Sequence, residues 1–147
     1  MYSKPPHQAA FTLLELIIVV VIVGILSAYI TARSDGSSSY QQDAVIEQVI
    51  SAGRMAQQFS MNDSSRSFQL VTQTNQINLQ VHDGSSFVTF TPGSVNYPLS
   101  INSQVELSAK TITYNSLGET SFETITVKAG GITESVCFEA SGYIHQC

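Results

Sequence analysis

The 147-residue sequence predicts an α+β fold: a long amino-terminal α-helix, with an apolar half, a loosened turn and an amphipathic half, packed on an antiparallel β-sandwich. Three observations predict it. An apolar run extends from Phe11 to Ile30, apolar or small residues recur at spacings of three and four from Val45 to Phe59, and the period changes to two from Ser67 onward. The length suits one domain of ordinary size and excludes two catalytic domains. The expected division is a leader over 1–10, a transmembrane helix over 11–33, the amphipathic half over 34–60 and a β-rich domain over 61–147.

The apolar run is interrupted only by Thr12, Glu15, Gly24 and Ser27. As an α-helix, twenty such residues reach about 30 Å, the hydrocarbon thickness of a bilayer. Lys4 precedes the span and Arg33 follows it, so charge leaves its orientation open. A secretory signal peptide has a shorter apolar core followed by a small-residue cleavage site. Here the small residues, Ala9 and Ala10, stand ahead of the run, and cleavage there leaves the helix on the mature protein. Glu15 then lies four residues beyond the new amino terminus. A lone carboxylate in a bilayer costs about 2.5–3.5 kcal/mol at mid-depth and less near a helix end, so its presence demands a reason.

The order FTLLELIIVVVIVGIL, Phe11 to Leu26, resembles the amino-terminal signature of type IV pilins and type II secretion pseudopilins. The resemblance implies that a prepilin peptidase of the inner membrane cuts between Ala10 and Phe11 and methylates the amino group of Phe11. It also implies that Glu15 pairs with the amino terminus of a neighbouring subunit. An ion pair between two desolvated groups offsets the cost each bears alone and sets axial register. Ala10 departs from the glycine usual before the cut and predicts slower processing. The implied partners are major and minor pilin subunits, the peptidase, the assembly platform of the inner membrane and, before assembly, lipid. The implied location is the inner membrane with a periplasmic carboxy-terminal domain, then a surface pilus or a periplasmic pseudopilus. A simple single-pass anchor explains neither the Phe-Thr-Leu-Leu-Glu order nor the leader.

Beyond the span, Ser34 to Ser39 holds Gly36 and four serines, poor material for a helix interior, and predicts a loosened turn. Ser39 followed by Gln42 fits a capping box for a second helical segment. There Val45, Val49, Ala52, Ala56 and Phe59, flanked by Ile46, Ile50 and Gly53, form the apolar face; Asp43, Glu47, Gln48, Arg54 and Gln57 form the polar one. The pattern is too short for a coiled coil. In the β-rich part, Phe68 and Leu70, then Ile77, Leu79 and Val81, then Val105 and Leu107, then Ile112 and Tyr114 alternate with polar residues as half-buried strands do. Turn signals stand between them at Asn75, Asp83-Gly84, Pro92-Gly93, Asn96 to Pro98, Leu117-Gly118, Gly130-Gly131 and Ser141-Gly142. The last strands, with Val136 and Phe138 leading to a turn at Gly142, resemble more loosely the pseudopilin-H or minor-pilin branch. Minor subunits of the mannose-sensitive haemagglutinin pilus are one instance.

Cys137 and Cys147 lie in the last eleven residues, without a Cys-x-x-Cys or neighbouring histidine pair to hold zinc. A disulfide is the better reading, two buried free thiols the alternative. The loop-entropy model gives such a ring roughly 3 kcal/mol, less any strain, and the bond implies an oxidising compartment.

Catalytic chemistry finds little support. His7, His82 and His145 have no motif around them, and no nucleophile elbow, P-loop, dinucleotide glycine pattern or calcium loop occurs. Glu119, Glu123, Glu134 and Glu139 read as a solvated strand face before they read as glycosidase carboxylates. No enzyme, cofactor or metal is expected. A binding module at a filament tip is the reading from another class. Arg33, Arg54, Arg66, Lys110 and Lys128 face ten acidic residues from Arg33 onward, which argues against DNA. Tyr97, Tyr114 and Tyr143 are the candidates for stacking on a glycan, with packing as their ordinary role.

Overall fold

In the computed structural model, residues 12–32 and 37–147 are described, and the chain divides into two units, Met1–Gly36 and Ser37–Cys147. The leader, the Ala10–Phe11 junction and Arg33 lie outside the described residues, as does the first half of the expected loosened turn, 34–36. Its last residues, Ser37 to Ser39, are already helical.

In the first unit, helix α1 covers Leu13–Ala32, which at 1.5 Å per residue is about 30 Å of helix. In the second unit, helix α2 covers Ser37–Asn62. Its predicted apolar face is the one that becomes buried: Val45, Ile46, Val49, Ile50, Ala52 and Ala56 are all at most 6% exposed. Ser39 lies inside α2 instead of capping it. Gln42 is buried, and its amide Nε2 donates to the carbonyl of Val127 at 2.8 Å. The expected capping box gives way to this tertiary bond, because a buried amide donor left unpaired costs more than a surface cap contributes.

Two antiparallel sheets complete the unit. One has the order β3–β2–β1–β6, built from β1 (Phe68–Gln73), β2 (Gln76–His82), β3 (Phe87–Thr89) and β6 (Lys110–Tyr114), with β4 (Leu99–Ser100) also pairing with β2. The other has the order β5–β7–β8–β9, built from β5 (Val105–Leu107), β7 (Glu123–Ala129), β8 (Ile132–Phe138) and β9 (Ile144–Gln146). Both sheets and α2 contribute to one apolar cluster, so the α+β expectation holds, with α2 as the helix that packs on the strands. Register follows the alternation. Phe68, Leu70 and Thr72 pair with Val81, Leu79 and Ile77 on the inner face, and all six are buried. A shift of one residue would turn that set to solvent.

The glycine turns occur where the sequence places them. Gly142 shows why one needs glycine: its φ is +83°, and an added Cβ would lie 2.0 Å from the carbonyl oxygen of Gly118. At that point two turns close over the end of α2, with Gln57 Nε2 donating to Gly118 O at 2.9 Å and Thr120 N donating to Ala140 O at 3.2 Å. Gln57, expected on the water-facing side, is therefore a structural tie.

Candidate functional site

The residues of the amino-terminal signature that are described form the start of α1. The carbonyl of Thr12 accepts from the backbone N–H groups of Glu15 and Leu16 at 3.1 and 3.3 Å, and Thr12 Oγ1 accepts from the Glu15 N–H at 3.2 Å. Thr12 is thus the N-cap and Glu15 the third helical residue, the Thr-x-x-Glu order of a capping box. This role of Thr12 is visible in the sequence by the same rule that pointed to Ser39. The carboxylate of Glu15 belongs to the first turn, where free backbone N–H groups and the helix dipole favour negative charge.

The rest of α1 has no polar face. Its large apolar side chains from Leu13 to Leu26 are each at least 50% exposed. The hydroxyl of Ser27 donates to the Val23 carbonyl at 2.7 Å, satisfying a polar group within the helix. A helix apolar on every side is at home in lipid or in a core of other helices. Among the described residues no helix is both long and apolar enough to cross a membrane. The described side chains of α1 end at Tyr29, so a crossing by Phe11 to Ile30 rests on the sequence.

Residues 5–31 match the prokaryotic N-terminal methylation motif. Two structures of the minor pseudopilin EpsH of the Vibrio cholerae type 2 secretion system share the fold. They have TM-scores of 0.58 and 0.61, are 10% and 8% identical, and cover 75% and 73% of this chain and 95% of theirs. The type IV minor pilin FimU of Pseudomonas aeruginosa PAO1 matches at a TM-score of 0.54 and 10% identity, over 74% of this chain and 90% of its own. At such identities the likeness is one of fold, and the motif supplies the signature that the fold alone does not. The chain thus joins a prokaryotic N-terminal methylation motif to a fold that it shares with a minor pseudopilin and a type IV minor pilin. No curated protein matches it in sequence.

A disulfide joins Cys137 to Cys147, tying the last residue of the chain to β8. Among the described residues no group of three or more His, Cys, Asp or Glu side chains could hold a metal ion. His82 accepts from the Gly84 N–H at 3.2 Å and stands edge-on to Phe87, while His145 pairs with Glu139 at 3.3 Å. Of the four glutamates considered for glycoside chemistry, Glu123 also carries an ion pair, with Lys110 at 2.7 Å.

Two of the three tyrosines proposed for sugar stacking are core residues. Tyr97 and Tyr114 are 8% and 2% exposed, and burial raises both phenol pKa values. Tyr143 alone of the three remains at the surface, stacked on His145. Among the described residues, three of the candidate cations face acidic partners. Arg66 pairs with Asp63 at 2.7 Å, Lys110 with Glu123, and Lys128 stands opposite Glu106 across β5 and β7.

Proposed function

We propose that this chain is a minor subunit and a structural component of a type IV pilus. It waits in the inner membrane with Phe11 to Ile30 in lipid and its carboxy-terminal domain in the periplasm. Prepilin peptidase cuts between Ala10 and Phe11 and methylates the new amino group of Phe11. The assembly platform then moves the subunit among major and minor pilins, where the apolar helix exchanges lipid for other helices and Glu15 pairs with a neighbour's amino terminus. The observation that carries this reading is α1: a helix with large apolar side chains exposed on every side and one carboxylate, in its first turn. The apolar surface drives packing without choosing a register, and the carboxylate supplies the choice.

Intact-mass spectrometry of the protein from membrane and sheared-filament fractions, reduced and non-reduced, tests the pathway. The expected mass is that of a chain beginning at Phe11 with one added methyl and, before reduction, two fewer hydrogens. An uncut chain beginning at Met1 overturns it. Glu15→Val is expected to insert in the membrane and assemble poorly; normal incorporation of that variant into filaments refutes the ion-pair role. The fold likeness to EpsH supports a second reading, a subunit of a short periplasmic pseudopilus, which predicts that the mature protein stays with the cells when surface filaments are sheared off.

A further inference from the structure

The outward face of the β3–β2–β1–β6 sheet carries no Asp, Glu, Lys or Arg. By the observed register, its positions on β1 are 69, 71 and 73, on β2 76, 78, 80 and 82, on β3 87 and 89, and on β6 111 and 113. Every one is Gln, Asn, Thr, Val, His or Phe. The corresponding face of the other sheet carries Glu106 opposite Lys128, so absence of charge is not a general property of the surface.

These side chains are also ordered. Thr113, Gln69, Gln80 and Thr89 stand directly opposite one another in a row across four strands, three interstrand steps or about 14 Å. Gln69 Nε2 donates to Gln80 Oε1 at 2.7 Å, Thr113 Oγ1 donates to Gln69 Oε1 at 3.4 Å, and Asn78 Nδ2 donates to Thr89 Oγ1 at 3.1 Å. Asn78 Oδ1 is a buried acceptor with no partner. At the β3 edge Phe87 packs against His82 with ring centroids 5.1 Å apart and remains partly exposed. To one side of the row, beside Val71, Gln73 and Thr111, the face borders a hollow of about 380 Å³ whose lining also includes the Lys110–Glu123 ion pair.

We infer that this face binds an extended, uncharged polysaccharide laid across the strands over this row, through Thr113, Gln80 and Thr89, with Gln69, only 8% exposed, ordering them from beneath. Amides and hydroxyls each offer donors and acceptors, which is what successive sugar hydroxyls require, and neither side loses the hydration of a charge on contact. The partly exposed ring of Phe87 supplies an apolar surface at one end. Other partners fit less well. A nucleic acid needs cations to neutralise phosphates, and a membrane surface needs a broad apolar face. A protein interface draws its core from aromatic, Met and Arg side chains, and here only Val71 and Phe87 are apolar. The inference concerns the sheet surface and holds whether the filament is a pilus or a pseudopilus.

The full-length chain, held in a detergent without a sugar head group, is mixed with microcrystalline cellulose or chitin, with alginate gel as the anionic control, and sedimented at low and high salt. Retention on cellulose, chitin or both is expected to be independent of salt, and retention on alginate to be weaker. Thr89 and Thr113 are exposed, so Thr89→Lys and Thr113→Lys keep the fold, checked by an unchanged melting curve, while placing a charge at each end of the row. Together they should lower retention roughly tenfold, and Phe87→Ala should lower it less. The inference is overturned if the unaltered chain is retained on neither neutral polysaccharide, if its retention falls with salt, or if the doubly substituted chain is retained equally well. Filament incorporation of the same variants should be normal, which separates failure of this inference from failure of the assembly reading.

Discussion

The two helices each contain one glycine, and the two glycines stand in opposite surroundings. An added Cβ at Gly53 of α2 would lie 2.8 Å from Cε1 of Phe138 and 2.9 Å from Cδ1 of Ile144. At Gly24 of α1 it would meet nothing within 4 Å. In α2 the glycine lets the helix approach β8 and β9, so its reason lies within the chain. In α1 no such reason exists among the described residues, although glycine costs a helix about 1 kcal/mol relative to alanine. The same contrast runs through the apolar side chains, which α2 buries against both sheets and α1 leaves exposed. A helix that has its partners inside the chain stabilises a domain; one that lacks them is a surface for lipid or for other subunits.

Substitutions with a similar chemical character should therefore have different consequences in the two helices. Val49 is 0% exposed, and Val49→Asp places an unpaired carboxylate in the core shared by α2 and both sheets. A loss of about 3–5 kcal/mol is expected, enough to unfold much of the population. Val20→Asp, in α1, should leave the domain's urea midpoint unchanged and impair membrane insertion. Equal losses of domain stability from both substitutions would show that α1 helps to hold the domain together.

A milder pair sharpens the same point. Gly53→Val forces Phe138 and Ile144 aside and should cost about 1–3 kcal/mol of domain stability. Gly24→Ala has room for its methyl and removes the glycine penalty, so the domain should melt unchanged while α1 gains helicity in detergent by circular dichroism. If Gly24→Ala nevertheless prevents filament incorporation, close approach by a neighbouring helix is the reason for the glycine.

The period-two strands were legible because each alternating set faces a single core, and the buried residues Phe68, Leu70, Ile77, Leu79, Val105, Leu107 and Ile112 are those that alternation selects. The stripe on α2 was legible for the same reason. Short edge strands were not: β3 and β4 are three and two residues long, too short to display a period, and β3 has every side chain exposed. Nor was the burial of Tyr97, which belongs to no alternating set and depends on which surfaces α2 and the strands cover, whereas Tyr114 is buried as its alternation with Ile112 selects. The start of α2 was misjudged in another way. Thr12 and Glu15 satisfy the capping rule as well as Ser39 and Gln42 do, and only the Gln42 bond to Val127 decides between them. In the amino-terminal signature a local motif carries the information; for the rest of the site, tertiary contacts carry it.

The smallest expected effects come from charged groups whose partners lie within the domain, and their signs differ. The backbone carbonyl of Gln146 and the carboxylate of Glu139 accept from the two ring nitrogens of His145, and both raise its pKa above the usual 6.5. Two acceptors favour the doubly protonated ring, so this contribution is present at low pH and is lost as pH rises through the raised value. Asp63 and Asp83 behave in the opposite way. Hydrogen bonds from the Ser65 hydroxyl and Arg66 lower Asp63 from 3.8 to about 2, and those from the backbone N–H groups of Ser86 and Ser85 do the same for Asp83. Their contributions are present above the unfolded value of 3.8 and are lost as pH falls towards about 2. These groups are near solvent, so each contribution is small. Urea midpoints measured across pH should decline on both sides of a broad maximum. His145→Gln should flatten the decline above roughly pH 6 without altering the acid side, and Asp63→Asn should do the reverse. A His145→Gln profile that still declines equally on the neutral side would remove the histidine from the account and leave the pairing with β8, the disulfide and the Ile144 packing as what hold β9 in place.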